Sequence, residues 1–436
     1  MADFRDELGS IDVDTDIQEI LLAASQHNIP KLRQLIRANE KAENPVNVKD
    51  PETGYTPLHA AISACESDAK ELTNNHEATN GTSNGDSAAA LDGSCSVADR
   101  ARDVVKFLLQ EGAIWNDLDA NNETPGCLAR RLGLKELYGL MVDAGVRAEM
   151  LLNRLDGYQM LSDDDGDEKE DEDASLVVEE SEEGMPHPAA ELSNGANQNR
   201  VESADADVTS SRYLQSKLTF QHDRLVDEDQ NSVMMAWETD IMSNSAKALL
   251  PTPGLRVVNI GHGMGIVDHL FQAQQPSAHH IIEAHPAVIE DMKKKGWHER
   301  PGVTIHEGRW QDVLPKLIDE GKTFDAIYYD TFAETYSDFR EFFSEQVIGL
   351  LEPNGKWGFF NGMGADRQIS YDVYQKVVEM DLLEAGFDVD WEEVKVPPLE
   401  GQWSGVRRKY WDVDNYRLPT CSSRESLVRV LLLITM

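Results

Sequence analysis

A glycine-rich stretch at 256–268 constrains the fold more than any other part of the sequence. A mostly apolar run, 257–260, leads into three closely spaced glycines, and a second apolar run, 266–271, follows at helical spacing. This order predicts a buried strand, a tight turn and a helix. The glycines are Gly261, Gly263 and Gly265. Glycines let the backbone turn sharply and let a ligand approach it, but the G-x-G-x-G spacing is not that of dinucleotide folds, so a purely structural turn stays open.

Two of the strands predicted after this turn end on carboxylates. Glu283 ends the first, and Asp330 ends a later one that begins at Phe324. Further strands are predicted at 303–306 and, after a turn at 352–355, at 356–360. Strands that alternate with helices and carry polar residues at their carboxyl ends predict a doubly wound parallel sheet with ligands above those ends. An acid at the tip of the second strand suits the hydroxyls of an adenosine ribose, with a helix cap or loop acid as the alternative.

Five motifs of this region together resemble one enzyme class. They are 233–242 (Val-Met-Met-Ala-Trp-Glu-Thr-Asp-Ile-Met), the glycine turn, 282–285 (Ile-Glu-Ala-His), 308–312 (Gly-Arg-Trp-Gln-Asp) and 328–331 (Tyr-Tyr-Asp-Thr). The chain resembles S-adenosylmethionine-dependent methyltransferases of the seven-strand type, with a Rossmann-like sheet. Within that class it is most similar to guanidinoacetate methyltransferase and to the fungal arginine Nδ-methyltransferases (type IV). The resemblance covers 210–421.

The resemblance implies the residues of the site. In the guanidino-methylating relatives, the Trp-Glu-Thr element closes over the cofactor and its Glu contacts the guanidino group, a role that falls here on Glu238. Periodicity alone would favour an amphipathic helix over 234–242 whose Met and Trp residues are core, and the resemblance is what favours a role in the site. Tyr213, rather than Phe220, is expected to be the upstream aromatic of the cofactor pocket. The implied cofactor-binding residues are Tyr213, Met234, Met242, Gly261, His262, Gly263, Met264, Gly265, Ile266, Glu283, Ala284, His285, Trp310, Gln311 and Asp330.

Two carboxylates suit the methylation of a guanidinium. This group stays charged, because its pKa lies above 12, and it offers no free lone pair while the charge is delocalised. Carboxylates grip its planar N–H fork, hold positive charge on the nitrogens that are not attacked, and accept the released proton. Glu238 and Asp330 are the predicted catalytic pair, with Asp330 as the base. The chain lacks the double-Glu and Thr-His-Trp loops of type I and II arginine methyltransferases, which favours the internal δ nitrogen of arginine or a small guanidino compound.

The first third of the chain resembles a different architecture. Residues 54–61 are close to the T-P-L-H-x-A signature of ankyrin repeats, and a shorter match begins at Thr124. Apolar spacing predicts helices within 16–38, broken at 27–30. Residues 66–99 lack this spacing and are predicted to be a disordered insertion. We predict an α-helical ankyrin-repeat-like domain at 12–155 that binds a protein partner, with another small helical domain as the alternative.

The remaining segments divide the chain further. An acidic linker is predicted at 162–209, because 163–183 holds thirteen acids and one Lys. This linker either separates the domains or attracts a basic substrate. The methyltransferase domain is predicted at 210–421, ending in a loop at 361–364, a helix at 371–385 and antiparallel strands at 387–396 and 410–418. A poorly ordered tail is expected at 422–436, where the resemblance stops.

Composition narrows the partners. The formal net charge of −39 argues against a general nucleic-acid or membrane binder and suits a basic protein. Four separated cysteines without C-x-x-C spacing indicate a reducing compartment, and the histidines lack metal-ligand spacing. No signal peptide or membrane span is expected. The resemblance implies a ribosomal protein substrate and a cytoplasmic and nuclear location, and we favour a monomer. A small-molecule guanidino methyltransferase and a non-catalytic ankyrin scaffold remain the alternative functions.

Overall fold

The computed structural model describes residues 4–38, 44–66, 97–163 and 208–424. By internal contacts the chain divides into two units, 1–201 and 202–436. Most of the predicted insertion, linker and tail lie outside the described residues. Among the helices that are described, none is both long enough and apolar enough to span a membrane.

The first unit is helical. Its helices are α1 (Phe4–Ser25), α2 (Ile29–Ala38), α3 (Pro57–Ser63), α4 (Val97–Gln110), α5 (Pro125–Arg131) and α6 (Lys135–Asp163), with a 3₁₀ turn at Pro45–Asn47. The two helices are separated at 26–28, where His27 has a φ of 53°, so the predicted break at 27–30 ends two residues earlier than expected. Helix α1 begins well before the predicted residue 16, and α6 continues past 155 to Asp163.

The two T-P sequences of this unit begin helices in the same way. Thr56 caps α3 and Thr124 caps α5, each accepting a hydrogen bond from the backbone N–H three residues later, with Pro directly after the cap. The buried ring of His59 also hydrogen-bonds the Glu123 carbonyl at 3.1 Å, which joins the two turns. The ankyrin-repeat identity of the unit stays a prediction.

The second unit contains two sheets. Its strands are β1 (Thr219–Phe220), β2 (Arg224–Val226), β3 (Ser232–Met235), β4 (Arg256–Ile260), β5 (Ala278–Glu283), β6 (Val303–Glu307), β7 (Phe324–Tyr329), β8 (Leu351–Phe359), β9 (Phe387–Lys395) and β10 (Asn415–Ser423). Strands β1–β3 form an antiparallel sheet, and the others form a seven-stranded sheet in the order β6-β5-β4-β7-β8-β10-β9. Only β10 is antiparallel to its neighbours. The predicted Rossmann-like, seven-strand fold is confirmed.

Helices connect the strands of the large sheet. They are α7 (Ser210–Gln215), α8 (Thr239–Leu249), α9 (Ile266–Ala273), α10 (Pro286–Lys294), α11 (Trp310–Asp319), α12 (Tyr336–Glu341), α13 (Val347–Leu350) and α14 (Gln368–Glu384), with 3₁₀ turns at Ala236–Glu238 and Trp297–Glu299 and a π turn at Phe342–Gln346. Val257 and Val258 of β4 and Ala326 and Ile327 of β7 are fully buried. The central strands are therefore covered on both faces, as parallel sheets require.

Three segments differ from the sequence expectations. A helix over 234–242 is excluded, because Met234 pairs with Leu225 in the small sheet and helical structure begins only at Ala236. Strand β8 begins at Leu351 rather than 356. The segment predicted as a turn is an irregularity inside this strand, since Phe324 pairs with Leu351 but Ala326 pairs with Lys356.

The last strand is the third difference. We expected it at 410–418, but β10 spans Asn415–Ser423, so the predicted tail at 422 begins inside a strand. Ser422 pairs with Lys356 on one side and with Asp388 on the other. The aromatic residues at 410 and 411 instead pack in a core cluster next to the candidate site.

Candidate active site

The glycine turn lies against the end of β7. Gly261 has a φ of 93°, and a Cβ on it would lie 1.9 Å from the carbonyl oxygen of Asp330. A Cβ on Gly263 would lie 2.8 Å from the terminal methyl carbon of Met234. The missing side chains of these two glycines therefore make room for protein atoms, and the approach of a ligand to the turn stays a prediction. Any larger residue at 261 would separate the turn from Asp330.

Glu283, the last residue of β5, is held by backbone amides. One of its oxygens accepts from the N–H groups of His262 (2.9 Å) and Gly263 (3.3 Å), and the other accepts from that of His285 (2.7 Å). Glu283 as a residue is 6% exposed. It borders a cavity, which we call the first cavity. The following predicted cofactor residues line it: Tyr213, Met234, Gly261, Gly263, Glu283, Ala284, Trp310 and Asp330.

The other predicted cofactor residues do not line this cavity. They are Met242, His262, Met264, Gly265, Ile266, His285 and Gln311. Met242 lies fully inside the hydrophobic core, and the His285 ring accepts from the Ala287 N–H at 3.1 Å as the cap of α10. The buried His262 ring faces Asp268. Their part in cofactor binding stays a prediction. His262 and His285 would contribute indirectly, because their backbone N–H groups hold Glu283.

A second cavity adjoins the first. The two share Val233, Asp330, Thr331, Phe332 and Glu334. The second cavity adds Glu238 and Tyr410, an aromatic wall and the polar residues of the β2–β3 turn. Its other lining residues include Asn231, Ser232, Tyr329, Phe339, Phe359, Phe360, Asn361 and Arg408. Asp330 stands where the cavities meet, and the structure thus brings both predicted catalytic acids to one cavity.

Neither of the two predicted catalytic acids has a cationic partner among the described ion pairs. Burial, and then the charge of Asp330, raise the pKa of Glu238 to about 8, although a hydrogen bond from Tyr410 opposes the rise. Burial, and then the charge of Asp268, raise the pKa of Asp330 to about 7. One oxygen of Asp330 is buried without a hydrogen-bond partner among the described residues. Buried acids of this kind favour a ligand that brings positive charge and N–H donors.

Two residues of the site were missed by sequence reasoning. Tyr410 donates a hydrogen bond to Glu238 from a segment that we assigned to a strand. Glu334 accepts from the Trp310 indole N–H (2.9 Å), the Thr331 hydroxyl (2.8 Å) and the Tyr329 hydroxyl. It thereby fixes the loop that follows β7. Neither residue belongs to a motif, and no local pattern marks it.

A buried polar network under the glycine turn was also missed. The Asp268 carboxylate bonds the rings of His262 (2.6 Å) and His279 (2.8 Å) and the Asn259 amide (3.0 Å). Burial alone would raise the pKa of Asp268, but the two histidines outweigh it and the pKa is lowered. The network anchors the His262 side chain, and the backbone N–H of the same residue donates to Glu283. No group of three or more potential metal ligands occurs in the described part of the chain.

Comparisons with known proteins agree with this geometry. Residues 213–415 match the sequence model of guanidinoacetate N-methyltransferase. The chain is 67% identical over 429 residues to protein arginine N-methyltransferase 2 of Aspergillus fumigatus, covering 97% of this chain and 99% of that protein. The proteins of the same name from Aspergillus oryzae and Emericella nidulans are 66% and 64% identical, covering 95% and 94% of this chain and 98% and 97% of those proteins.

The fold and these similarities agree on the class of enzyme. Identities of this size extend over nearly the whole length of both chains, and the family's cofactor is S-adenosylmethionine. The first cavity fits that cofactor, because Glu283 at the tip of the second sheet strand suits its ribose. The chain therefore belongs to the protein arginine N-methyltransferase 2 family of S-adenosylmethionine-dependent methyltransferases.

Proposed function

We propose that this chain monomethylates the δ nitrogen of an arginine in a basic protein, and that the substrate is a ribosomal protein. One observation carries the proposal: Glu238, which is buried, and Asp330, one oxygen of which is buried without a hydrogen-bond partner among the described residues, line the same cavity beside the first cavity, and neither has a cationic partner among the described ion pairs. An arginine guanidinium has the charge and the planar N–H groups that such a pair binds best.

The two acids have different tasks in this proposal. S-adenosylmethionine supplies a methyl group that is electrophilic because it is bonded to a sulfonium. Glu238 binds terminal N–H groups and keeps positive charge away from the attacked nitrogen. Asp330, between the cavities, accepts the proton that this nitrogen loses, and a pKa near 7 suits a base at neutral pH. Most of the rate enhancement then comes from positioning and charge.

The choice of the internal nitrogen follows from how the guanidinium would be hydrogen-bonded. If acceptors hold the terminal nitrogens of the guanidinium, the δ nitrogen is the one whose single N–H is left for proton transfer. Five N–H groups surround an arginine guanidinium, and four of them belong to the terminal nitrogens. The absence from the sequence of the type I and II loops supports the same position.

The protein substrate and its location are supported by charge and by the first unit. A net charge of −39 attracts Lys- and Arg-rich proteins. The first unit, with its two T-P turns, is proposed to dock a protein partner, a role that a small-molecule enzyme would not need. We also propose that the enzyme is a monomer and that it acts in the cytoplasm and the nucleus.

A small-molecule guanidino methyltransferase is the second candidate. It is favoured by the match of 213–415 to the guanidinoacetate N-methyltransferase model. The test supplies labelled S-adenosylmethionine together with either a ribosomal-protein extract or guanidinoacetate, and locates the label by mass-spectrometric fragmentation. Label on the δ nitrogen of a protein arginine is expected. Label on terminal nitrogens alone would overturn the position, and label on guanidinoacetate alone would favour the second candidate.

A further inference from the structure

The second cavity contains buried polar atoms that the fold itself does not use. Asn231 is 7% exposed and Ser232 is 9% exposed, and both line this cavity with Glu238 and Asp330. The side-chain oxygens of Asn231 and Ser232 are buried without a hydrogen-bond partner among the described residues. Because leaving such groups unsatisfied costs stability, each one calls for a partner that arrives from outside.

The orientation of Asn231 is fixed by Asp227. The Asn231 amide nitrogen donates to one Asp227 oxygen at 2.9 Å, and its backbone N–H donates to the other at 2.8 Å. A carboxylate accepts hydrogen bonds, so the amide NH₂ must face Asp227 and the amide oxygen is the free end. The free end of this side chain is therefore an acceptor, held in place before any ligand binds.

Ser232 stands next to it at the start of β3. The strand continues into the 3₁₀ turn that carries Glu238, so one short segment supplies Asn231, Ser232 and Glu238 to the same cavity. Asp330 is assigned to the δ nitrogen, and one Glu238 oxygen is already bonded to Tyr410, so Glu238 has fewer free acceptor positions than the four terminal N–H groups of a guanidinium require. Neutral oxygens can bind the remaining N–H groups without adding a third negative charge to a site where two acids already repel.

We propose that the Asn231 amide oxygen and the Ser232 hydroxyl bind N–H groups of the substrate guanidinium and so help to select and orient it. This inference rests on the proposed function, because it takes the ligand of the second cavity to be a guanidino side chain. It adds two substrate-binding residues to the two acids, and it assigns the unused oxygens of the β2–β3 turn to the terminal nitrogens.

If the Ser232 hydroxyl stabilised the fold, its removal would lower the melting temperature. A buried hydroxyl without a partner does not stabilise the fold, so its removal should leave the melting temperature unchanged or raise it. The loss of a hydrogen bond to a charged ligand should weaken that ligand by about tenfold or more. The two measurements together therefore separate ligand binding from folding.

The test is the variant Ser232→Ala, with N-acetyl-arginine methylamide as the probe and S-adenosylhomocysteine present at saturation. Titration calorimetry should give a Kd for the probe about tenfold higher than that of the unaltered chain, while the Kd of S-adenosylhomocysteine stays the same and the Tm does not fall. Ser245→Ala is the matched control. Ser245 is 3% exposed and its hydroxyl already bonds the Ile241 carbonyl at 3.3 Å, so its loss should not change probe binding.

Asn231→Ala provides a second variant. Its Tm should fall because the Asp227 bond is lost, and its Kd for the probe, measured well below that Tm, should also rise about tenfold. Equal probe affinities in the unaltered chain and in both variants would overturn the inference but not the proposed function. Failure of the unaltered chain to bind the probe would overturn both.

Discussion

The hydroxyl of Tyr410 donates a hydrogen bond to the Glu238 carboxylate across 172 positions of sequence. The Tyr410 ring lies near Trp237 and Trp403, with centroids 6.1 Å and 5.0 Å away. The segment between β9 and β10 thus positions an acid that is supplied by the segment after β3. Tyr410 also occupies one hydrogen-bond acceptor position of Glu238, so fewer positions of that carboxylate remain for a substrate.

Replacing Tyr410 by Phe should shift the pH dependence of methyl transfer. The hydrogen bond lowers the pKa of Glu238, so its loss should raise that pKa further and leave less carboxylate at neutral pH. We expect kcat/KM to fall about tenfold at pH 7, which is the scale of one hydrogen bond to a charged group. The rate should recover partly as the pH rises. Rates measured from pH 6 to 9.5 check this.

Tyr336→Phe is the control for that experiment. Tyr336 also donates to a buried acid, Asp381, at 2.5 Å, but neither residue lines the two cavities. A stability loss without a shifted profile is expected for this variant. A Tyr410→Phe profile that superimposes on that of the unaltered enzyme would contradict the role of the hydrogen bond.

Asp330→Asn should abolish methyl transfer, because an amide cannot accept the proton at the junction of the cavities. Its Kd for S-adenosylmethionine should stay within about tenfold of the original, since Glu283 is unchanged. Asp325→Asn, in the strand that ends just before Asp330, is the control: Asp325 pairs with Arg256 at 3.0 Å, so its loss should affect stability but not rate. A nearly normal rate in Asp330→Asn would rule out Asp330 as the base.

Glu283→Ala should weaken cofactor binding by about 1–3 kcal/mol, the range for charge-assisted hydrogen bonds. Its Tm should fall as well, because three backbone N–H groups lose their acceptor. Calorimetric titration with S-adenosylhomocysteine measures the first effect. Glu307→Ala changes the residue paired with Glu283 in the register of β6 and should leave the Kd unaltered. An unchanged Kd in Glu283→Ala would mean that the ribose binds elsewhere.

The two raised pKa values predict how stability depends on pH. Folding raises the pKa of Glu238 from 4.5 to about 8 and that of Asp330 from 3.8 to about 7. Between these limits the folded state binds more protons than the unfolded state, so the free energy of unfolding should decrease as the pH rises from 5 to 8. Urea unfolding of the Glu238→Gln, Asp330→Asn double variant should show a flatter decrease. Parallel curves for both proteins would contradict the shifts.

Local patterns predicted those parts of the site that lie within one strand and its turn. The glycine turn, Glu283 and Asp330 each stand at the carboxyl end of an apolar run, and the parallel sheet brings such ends together. Glu238 was different, because periodicity alone favoured an amphipathic helix and only the family resemblance gave Glu238 a role. Pairing of Met234 with β2 decided against the helix.

The parts that sequence could not predict depend on tertiary contacts. Tyr410 reaches Glu238 only because 399–411 packs against a core cluster that includes Trp237, and hydrophobic spacing does not encode that contact. The partners of Asp268 come from three different elements, β4, the glycine turn and β5. Sequence likewise does not show that a side chain at 261 would collide with Asp330, because that contact depends on where β7 ends.

The position of β10 bears on when the enzyme becomes competent during its synthesis. This strand comes after β8 and β9 in the chain but lies between them in the sheet. While a ribosome is still making 415–423, β9 has no neighbour in the sheet, and the Tyr410 segment has no fixed end. The nascent chain can then already contain the glycine turn and Glu283. Both acids precede 415 in the chain, so what waits for this inner strand is the fixing of the Tyr410 segment, which bonds Glu238.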